Sequence, residues 1–346
     1  MFESFNGDFD IQKKHINEKG EFVITAGLSD NGILGKTDVK AKIFGENTIT
    51  IDMFGYAFYR PFKYKMVTHA RVFSLYPKFK ITKNHGLFIA NSFHFFKYKF
   101  GYENMCSWNK IKHENIKLPI NLKSEIDFEF MENFIAELEA ERIAELEAYL
   151  RVTNLKDYKL TTDEQNALKE FENLDWKKFN LENLFGKSTR GKRLKSDDRI
   201  PGNLPFVTAG ENSEGISDFI GNNIEIFSKN TTTIDMFGSA KYRNYDYGAD
   251  DHIAVVHTEN LNKYAAIFIT TSIHKASYTG EFHYGRNFYA KDADCLNINL
   301  PTKNGEIDFK FMENFITAVQ KLVIKDVVLY ADEKIEVTKK IVCNKG

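Results

Sequence analysis

The sequence has few cysteines and prolines and no long apolar run. Only six of its 346 residues are proline and three are cysteine, namely Cys106, Cys295 and Cys343. The cysteines are odd in number, lie far apart and form no Cys-x-x-Cys pair, so we expect free thiols in a reducing compartment. No stretch of 18 or more apolar residues occurs, so we predict no membrane-spanning segment and no membrane partner. The polar, acidic first ten residues lack a signal-peptide core, and we expect a cytoplasmic protein.

Recognisable catalytic, metal and cofactor motifs are missing as well. The sequence has no His-x-x-x-His, no Gly-x-Ser-x-Gly, no Asn/Asp-Pro-Pro-Tyr/Phe methyltransferase motif and no glycine-rich cofactor loop. Gly186-Lys187-Ser188 resembles the end of a phosphate-binding loop, but the glycine needed five residues earlier is Leu181, so we reject that interpretation. Asp52 and Asp235 precede turn glycines, and we expect them to cap turns. We therefore predict a chain without catalytic activity, metal or cofactor.

Internal repetition is the main feature that the sequence does have. Ile51-Asp52-Met53-Phe54-Gly55 recurs 183 residues later as Ile234–Gly238, and Phe130–Ile135 recurs at an offset of 181 as Phe311–Ile316. A match of this length indicates one module built twice, with each copy ending in a helix. Other pairs at the 183-residue offset include Thr25 and Thr208, Asn47 and Asn230, Tyr59-Arg60 and Tyr242-Arg243, and His69 and His252. The two histidines have no obvious cluster of ligands around them, and we expect them to be structural.

Local patterns predict that each module is a mixed α+β fold. Short runs of β-branched and aromatic residues between Gly- or Asn-containing turns predict strands. In the first module these runs are Phe22–Thr25, Ala41–Phe44, Thr48–Ile51 and Ala70–Leu75. Leu87–Phe93 fits either a strand or a buried helix, whereas the alanines of its counterpart Tyr264–Thr271 favour a helix.

Helical spacing of apolar residues follows each module. Residues 126–151 predict a long helix, and Thr162 with Gln165 predicts a capping box for a short helix through Phe171. A last helix is predicted from Asp308 to near the C-terminus. The apolar stripes are Phe128, Met131, Ile135, Leu138, Ile143, Leu146 and Leu150 in the first helix, and Met312, Ile316, Val319, Val323, Val327, Tyr330, Val337 and Ile341 in the last. Because such stripes need a partner, we expect the two helices to pair antiparallel as a coiled-coil spacer; the alternative is that each packs on its own module.

Charge is balanced overall but unevenly distributed. The net charge of −1 mildly disfavours a strong nucleic-acid binder. One loop nevertheless concentrates the basic residues Lys187, Arg190, Lys192, Arg193 and Lys195. Such a sequence suits a flexible loop that binds a phosphate backbone, and it suits an ordinary solvated loop equally well. The repeated pairs Tyr59-Arg60 and Tyr242-Arg243 suit base and phosphate contacts in a DNA groove, or else fill a surface at a strand edge.

The doubled order of these markers resembles the specificity (S) subunits of type I restriction-modification enzymes and the related type IIB specificity subunits. The markers are Gly186–Arg193 leading into Leu204–Gly210, then Glu214–Ile216, then Met312–Ile316 opening the last helix, and the resemblance covers nearly the whole chain. It implies two target-recognition domains that each read one half of a split DNA sequence. It also implies a helical spacer that fixes the gap and docks methyltransferase (M) subunits. The complex of that family methylates adenine with S-adenosylmethionine and cleaves unmodified DNA, whereas the S subunit performs no chemistry.

The resemblance implies four segments and a set of partners. We predict target-recognition domain 1 at residues 1–124, a central helical spacer at 125–175, target-recognition domain 2 at 176–306 and a C-terminal spacer at 307–346. The predicted partners are double-stranded DNA, two M subunits and, as a further candidate, a restriction (R) subunit. The predicted DNA-binding residues are Lys187, Arg190, Lys192, Arg193, Lys195, Tyr242, Arg243, Lys13, Lys14, Tyr59 and Arg60.

Domain 1 departs from the pattern because the segment that would correspond to the basic loop has few basic residues, namely Lys13, Lys14 and His15. Either this domain is trimmed, or the C-terminal end of the chain completes it in a circular arrangement. Two other functions remain alternatives: a duplicated protein–protein scaffold without DNA contact, and a diverged DNA nuclease or methyltransferase.

Overall fold

The β-branched runs of the first half fold into two small sheets. The structure, a computed structural model, describes residues 1–343 and the side chains of residues 1–337. The chain divides into two units, whose main segments are Met1–Ala148 (unit 1) and Tyr149–Glu333 (unit 2). The strands of unit 1 are β1 (Phe2–Asn6), β2 (Glu21–Ile24), β3 (Ile33–Thr37), β4 (Thr48–Ile51), β5 (Ala57–Arg60), β6 (Tyr64–Met66) and β7 (Phe73–Pro77). They form an antiparallel sheet of order β1-β7-β4-β5 and a sheet of order β3-β2-β6, in which β2 and β6 are parallel.

Unit 2 repeats both sheets and adds a third. Its strands are β8 (Asp175–Asn180), β9 (Thr189–Arg190), β10 (Pro201–Val207), β11 (Ile216–Ile220), β12 (Thr231–Asp235), β13 (Ala240–Arg243), β14 (Gly248–Ala249), β15 (Ile253–Val256), β16 (Asn297–Lys303) and β17 (Glu306–Ile307). The orders β9-β15-β12-β13 and β11-β10-β14 match those of unit 1. The third sheet, β17-β16-β8, is represented in unit 1 by a single bridge between Ile120 and Ile126.

The helices confirm most of the sequence predictions. They are α1 (Lys83–Ser92), α2 (Trp108–Ile111), α3 (Phe128–Val152), α4 (Thr162–Glu170), α5 (Leu181–Phe185), α6 (Lys263–Ser277), α7 (Ala290–Asp294) and α8 (Phe309–Cys343). The ambiguous run of unit 1 is helical because Thr82 caps α1, accepting a hydrogen bond from the backbone N–H of His85. The mixed α+β class and the long C-terminal helix are confirmed. Within the described residues, no helix combines the length and apolarity needed to cross a membrane.

Three local predictions are wrong. Ala41–Phe44 is not a strand, and only Phe44 makes an isolated bridge, to Tyr64. The strand predicted from Ala70 begins at Phe73, because Arg71 adopts a left-handed backbone conformation with φ of 49° in the preceding turn. The capping box of α4 lies one residue earlier than predicted and consists of Thr161 and Glu164.

The long helices begin on the cores of their own units. Met131, at the start of α3, is fully buried in a cluster with Ile49, Leu75 and Ile89. Met312, at the start of α8, is fully buried in the corresponding cluster of unit 2. The repeated Phe-Met-Glu-Asn-Phe-Ile sequence therefore anchors each helix to the module that precedes it.

The free cysteines include one buried and one exposed thiol. Burial raises the pKa of the Cys106 thiol to about 12, so this thiol stays protonated and unreactive at neutral pH. Cys295 is an exposed free thiol, and the side chain of Cys343 lies outside the described residues.

The apolar stripe predicted for α8 is only partly right. Met312 is buried, but Val323 is 74% exposed and Tyr330 is 52% exposed. Small or shifted positions are buried instead, among them Ala318, Val328 and Ala331. In α3, Leu138 is also exposed, whereas Met131 and Leu150 are buried as predicted. Ile341, the last member of the α8 stripe, lies outside the described side chains.

The chain that follows α3 runs antiparallel along α8 within unit 2. The Lys156 ammonium lies 3.3 Å from the Asp332 carboxylate, and the Lys321 ammonium lies 3.0 Å from the Asp157 carboxylate. Lys321 is largely buried, donates to the Lys159 carbonyl at 2.9 Å and lies 3.1 Å from Glu164. As residue numbers rise from 156 to 164, their partners on α8 fall from 332 to 321, which defines the direction.

Candidate nucleic-acid interface

Each repeated Asp-Met-Phe-Gly segment is a capped turn, as predicted. Oδ1 of Asp52 accepts hydrogen bonds from the backbone N–H groups of Phe54 and Tyr56, both at 2.9 Å. Its Oδ2 accepts from Gly27 at 2.8 Å and so fastens the Thr-Ala-Gly loop to the turn. Burial raises the pKa of the Asp52 carboxyl, against the opposing effect of these backbone donors. In unit 2, Asp235 accepts in the same way from Phe237, Ser239 and Gly210.

The repeated arginines lie in the interior, which corrects their predicted role. Arg60 is 2% exposed; its Nε donates to Thr50 Oγ1 at 2.9 Å and its Nη2 to the Asn31 carbonyl at 2.8 Å. Burial lowers the pKa of this guanidinium to about 10, which leaves it charged at neutral pH. Asn31 adopts a left-handed conformation with φ of 51°, so Arg60 fixes a strained loop. A side chain held inside the unit in this way does not reach a DNA groove.

Unit 2 repeats this arrangement with its own residues. Arg243 is 1% exposed, and its Nε donates to Thr233 Oγ1 at 2.9 Å. Its Nη1 donates to the carbonyl of Glu214, at 2.9 Å, and to the Tyr245 hydroxyl, at 3.0 Å. Glu214 lies 183 residues after Asn31 and has the same left-handed conformation, with φ of 55°.

Each tyrosine beside these arginines stabilises a turn in its own unit. Tyr59 is buried, and its hydroxyl donates to Asn47 Oδ1. Tyr242 donates to Asn230 Oδ1 at 2.8 Å. Both asparagines are left-handed, with φ of 60° and 67°. We therefore replace the predicted groove contacts of Tyr59 and Tyr242 with a structural role: each tyrosine holds a strained turn at the start of a strand.

The basic loop of unit 2 has a fixed backbone and exposed side chains. Thr189 and Arg190 form β9, which pairs with β15. Gly191 follows, and a Cβ at this position would lie 1.8 Å from the Ala249 carbonyl oxygen, so only glycine fits. The Lys192 N–H donates to the same carbonyl at 3.0 Å. The loop that the sequence predicts to be flexible is thus attached to the sheet at its centre.

The basic side chains of this loop point into solvent. Its five cations fall within nine residues and all are exposed: Lys187, Arg190, Lys192, Arg193 and Lys195. Within the described part of the chain, none of the five forms an ion pair. A rigid array of this kind can contact several phosphates at once without ordering a loop first.

Unit 1 carries the opposite charge at the corresponding place. Gly7 follows β1 as Gly191 follows β9, and a Cβ on Gly7 would lie 2.7 Å from the carbonyl oxygen of Met66, which is 183 residues before Ala249. The residues after Gly7 include exposed Asp8 and Asp10, where Lys192 and Arg193 follow Gly191. Lys13 and Lys14 lie further on, exposed in a short 3-10 turn.

Carboxylates lie beside both repeated histidines, contrary to the expectation of isolated side chains. His69 Nδ1 contacts Asp10 Oδ1, and this hydrogen bond holds the pKa of the Asp10 carboxyl below its usual range. His252 Nδ1 lies 3.1 Å from Asp251 Oδ1, in a group with Asp250 whose ligand atoms fall within 4.8 Å of one another. Asp250 accepts the backbone N–H of Leu194 at 3.3 Å. The acidic group of unit 2 therefore helps to fix the basic loop.

Comparison with known proteins places most of the chain in one family. Residues 1–148 and 173–328 match the family described as type I restriction modification DNA specificity domain. The chain is 25% identical over 323 residues to the type II restriction enzyme BgcI specificity subunit S.BcgI of Heyndrickxia coagulans, covering 91% of this chain and 90% of that one. Its fold is similar to the crystal structure of a type I restriction-modification system S subunit from M. genitalium. That match has a TM-score of 0.59 at 15% identity and covers 98% of this chain and 91% of that one.

Proposed function

The chain belongs to the type I restriction modification DNA specificity family, and we propose that it reads a bipartite duplex site with units 1 and 2. Subunits of this family recognise DNA sequence and are not catalytic, because the enzymatic activities belong to other subunits. The prediction of a non-catalytic DNA-recognition chain is confirmed at this level. DNA and methyltransferase subunits are accordingly its partners, and we place its action in the cytoplasm.

The fixed basic loop of unit 2 is the observation that carries the proposed mode of binding. Lys187, Arg190, Lys192, Arg193 and Lys195 hold phosphates and orient unit 2 on the duplex. Phosphate contacts give affinity and register without reading sequence, so base recognition falls to other side chains of the unit. We expect those side chains among the residues that differ between the units, because the two halves of a split site differ in sequence.

The test is a pair of substitutions in this loop. Arg190→Ala with Arg193→Ala should weaken binding to every duplex alike, and the slope of log K against log salt should fall by about two. Fluorescence anisotropy at several salt concentrations, with the chain assembled with its methyltransferase subunits, measures both effects. Lys303→Ala with Lys310→Ala is the matched control, since it removes two exposed positive charges elsewhere in unit 2. Equal affinity and slope in the loop variant and the wild type would exclude the loop from the interface.

We further propose that α3 and α8 pair antiparallel and set the distance between the two half-sites. Two observations support this: α8 has 35 residues, about 50 Å at 1.5 Å per residue, and the chain after α3 is attached antiparallel along it through Lys156 and Lys321. The two helices would dock two M subunits, with an R subunit joining the complete enzyme. Residues 125–175 and 307–346 would form this spacer, and residues 1–124 and 176–306 the two recognition domains.

A further inference from the structure

A short hairpin is attached to the Asp-Met-Phe-Gly turn of unit 2. Its four residues are His283–Arg286 (the unit 2 tip). The His283 N–H donates to the Arg286 carbonyl at 3.0 Å, and the Arg286 N–H donates to the His283 carbonyl at 2.8 Å. The Phe288 N–H then donates to the Met236 carbonyl at 2.9 Å. The backbone of the unit 2 tip is therefore closed on itself and fastened to the turn.

Unit 1 contains the same hairpin 182 residues earlier. Its residues are Gly101–Asn104 (the unit 1 tip), and the N–H of each end residue donates to the carbonyl of the other at 3.2 Å. The Cys106 N–H donates to the Met53 carbonyl at 2.7 Å, as Phe288 does to the turn of unit 2. Duplication has thus kept the backbone of the tip and its attachment.

The two tips share one side chain and differ at the other three positions. Tyr102 and Tyr284 are equivalent, and each ring meets the phenylalanine of its turn edge-on, with centroids 5.0 Å and 5.3 Å apart. The remaining positions hold Gly101, Glu103 and Asn104 in unit 1, and His283, Gly285 and Arg286 in unit 2. A constant support that carries variable residues suits two units that recognise different half-sites.

The unit 2 tip and the basic loop lie at the same edge of one sheet. Arg190 in β9 is opposite Ala254 in β15, and Ala254 is opposite Ile234 in β12. Because both pairings are antiparallel, β9 and β12 run in the same direction. The basic loop after Arg190 and the turn after Ile234 therefore leave the sheet together, two strand spacings or about 10 Å apart. The Ser188 N–H also donates to Asp294 Oδ1 at 2.7 Å, which links the loop to the helix after the tip.

The guanidinium of Arg286 is available for a ligand. Its side chain is 63% exposed, and the neighbouring Tyr284 is 84% exposed. The Glu281 carboxylate lies 4.0 Å away and is equally exposed, so this ion pair contributes little. The guanidinium carbon lies 5.4 Å from the centroid of the Phe282 ring, which supports the side chain from one side.

Asn104, the equivalent of Arg286 in the unit 1 tip, has its amide engaged at both ends. Its Oδ1 accepts a hydrogen bond from the Lys110 ammonium at 2.7 Å, and its Nδ2 donates to the Lys99 carbonyl at 3.1 Å. The same backbone hairpin thus presents a charged fork in unit 2 and an internally bonded amide in unit 1. The two tips differ in what they can bind.

We propose that the unit 2 tip enters the major groove of its half-site and that Arg286 recognises a guanine there. This inference rests on the proposed function, since the basic loop must hold the duplex along the same edge. The major groove admits a two-stranded β-ribbon, and a guanidinium donates two hydrogen bonds to O6 and N7 of guanine. The basic loop then supplies affinity and register, and the tip supplies sequence preference.

The test uses the chain assembled with its methyltransferase subunits. Methylated adenines are mapped first to define the bipartite site, and binding is then measured to duplexes that each change one base pair. Arg286→Ala should lose about tenfold or more in discrimination at one G·C pair of one half-site and keep the profile of the other half-site. Lys291→Ala removes an exposed positive charge five residues further on and, as the matched control, should keep both profiles.

A second substitution tests the chemistry of the contact. Arg286→Gln should shift the preference at that pair from G·C to A·T, because a glutamine amide pairs with N6 and N7 of adenine. A retained preference for guanine in this variant overturns the proposal.

An exchange of the whole tip separates recognition from folding. Residues 283–286 are replaced by the sequence of residues 101–104, which should remove the guanine preference as Arg286→Ala does. A Cβ at Gly285 would approach only the His283 ring, which the exchange removes, so the unfolding midpoint of unit 2 should stay unchanged.

Unchanged single-base profiles in the Arg286→Ala variant and the tip exchange overturn the proposal. An equal loss of affinity for every duplex overturns it too, because Arg286 would then contact phosphate. Both results leave the proposed function intact, since a wild-type complex still prefers its bipartite site. Equal binding of the wild-type complex to all duplexes is the separate result that would refute the proposed function, and the role of the tip with it.

Discussion

Gly7 packs against the Met66 carbonyl oxygen as Gly191 packs against that of Ala249, yet the loops that follow the two glycines carry opposite charge. The first loop continues with Asp8 and Asp10, the second with Lys192 and Arg193. By contrast, Arg60 and Arg243 both donate to a threonine, Thr50 or Thr233, and to the carbonyl of a left-handed loop residue, and Arg243 adds a hydrogen bond to the Tyr245 hydroxyl. Duplication has therefore kept the interior and changed the surface. We therefore expect the residues that repeat between the units to belong to the scaffold, and the residues that contact DNA to lie among those that differ.

The largest effect should come from changing the distance between the units while leaving both unchanged. Four residues inserted after Ala148 in α3 and after Glu333 in α8, at the boundaries between the two units, lengthen each helix by about 6 Å, close to two base pairs. Both half-sequences should be kept and their separation should grow by one or two base pairs, while affinity for the original site falls to the non-specific level, a loss of about 4 kcal/mol or more. Mapping methylated adenines in the assembled enzyme measures the new spacing.

The matched control is the same insertion in α3 alone. It puts the two helices out of register and should abolish specific binding at either spacing. If the doubly extended enzyme recognised new half-sequences, the proposal that α3 and α8 only set the spacing would be wrong, because the helices would then help to recognise bases.

The next largest effect concerns the shared interior. Arg243→Ala should lower the free energy of unfolding of unit 2 by about 3 kcal/mol, because it empties a buried volume and leaves Thr233 and the Glu214 carbonyl without their donor. Arg60→Ala should do the same to unit 1 only. Denaturant unfolding followed by Trp108 in unit 1 and Trp176 in unit 2, one tryptophan at a time, separates the two transitions.

Lysine at these positions is an informative control. Arg243→Lys keeps the charge but not the fork of donors, so we expect it to remain destabilising. If Arg60→Ala and Arg243→Ala left unfolding unchanged and reduced DNA binding, the two arginines would return to the interface.

Sequence reasoning found the duplication and the turn-capping aspartates, because these depend on local chemistry repeated at a fixed offset. It placed Met131 and Met312 in stripes that pair the two helices, whereas both are buried in the core of their own unit. It misplaced Arg60 and Tyr59 because a basic and an aromatic residue side by side suit a DNA groove and a hydrogen-bonded interior equally well. Burial decides between the two, and burial depends on the loop that carries Asn31. Repetition itself was the available signal, because under the proposed function the two units recognise different half-sites and need not share contact residues.

The helical stripes show a second limit of the sequence. In α8 the large residues Val323 and Tyr330 are exposed while Ala318 and Ala331 are buried. Ranking positions by side-chain hydrophobicity favours the large residues, whereas close packing of a helix favours small ones. The opposite charge of the loop after Gly7 was visible in the sequence, but its correspondence to the basic loop depends on how both glycines pack on a sheet.

The smallest effect tests the loop of unit 1 directly. Asp8→Asn with Asp10→Asn removes two negative charges and keeps the oxygens that accept from the Lys42 backbone N–H and contact His69. If unit 1 approaches DNA with the same face as unit 2, affinity should rise a few-fold at low salt and less at high salt, because these charges are exposed and screened. Lys192→Gln with Arg193→Gln, the neutral counterpart in unit 2, should act in the opposite direction. Affinity unchanged by the asparagines but lowered by the glutamines would show that the two units use different faces, and that unit 1 holds its half-site without this loop.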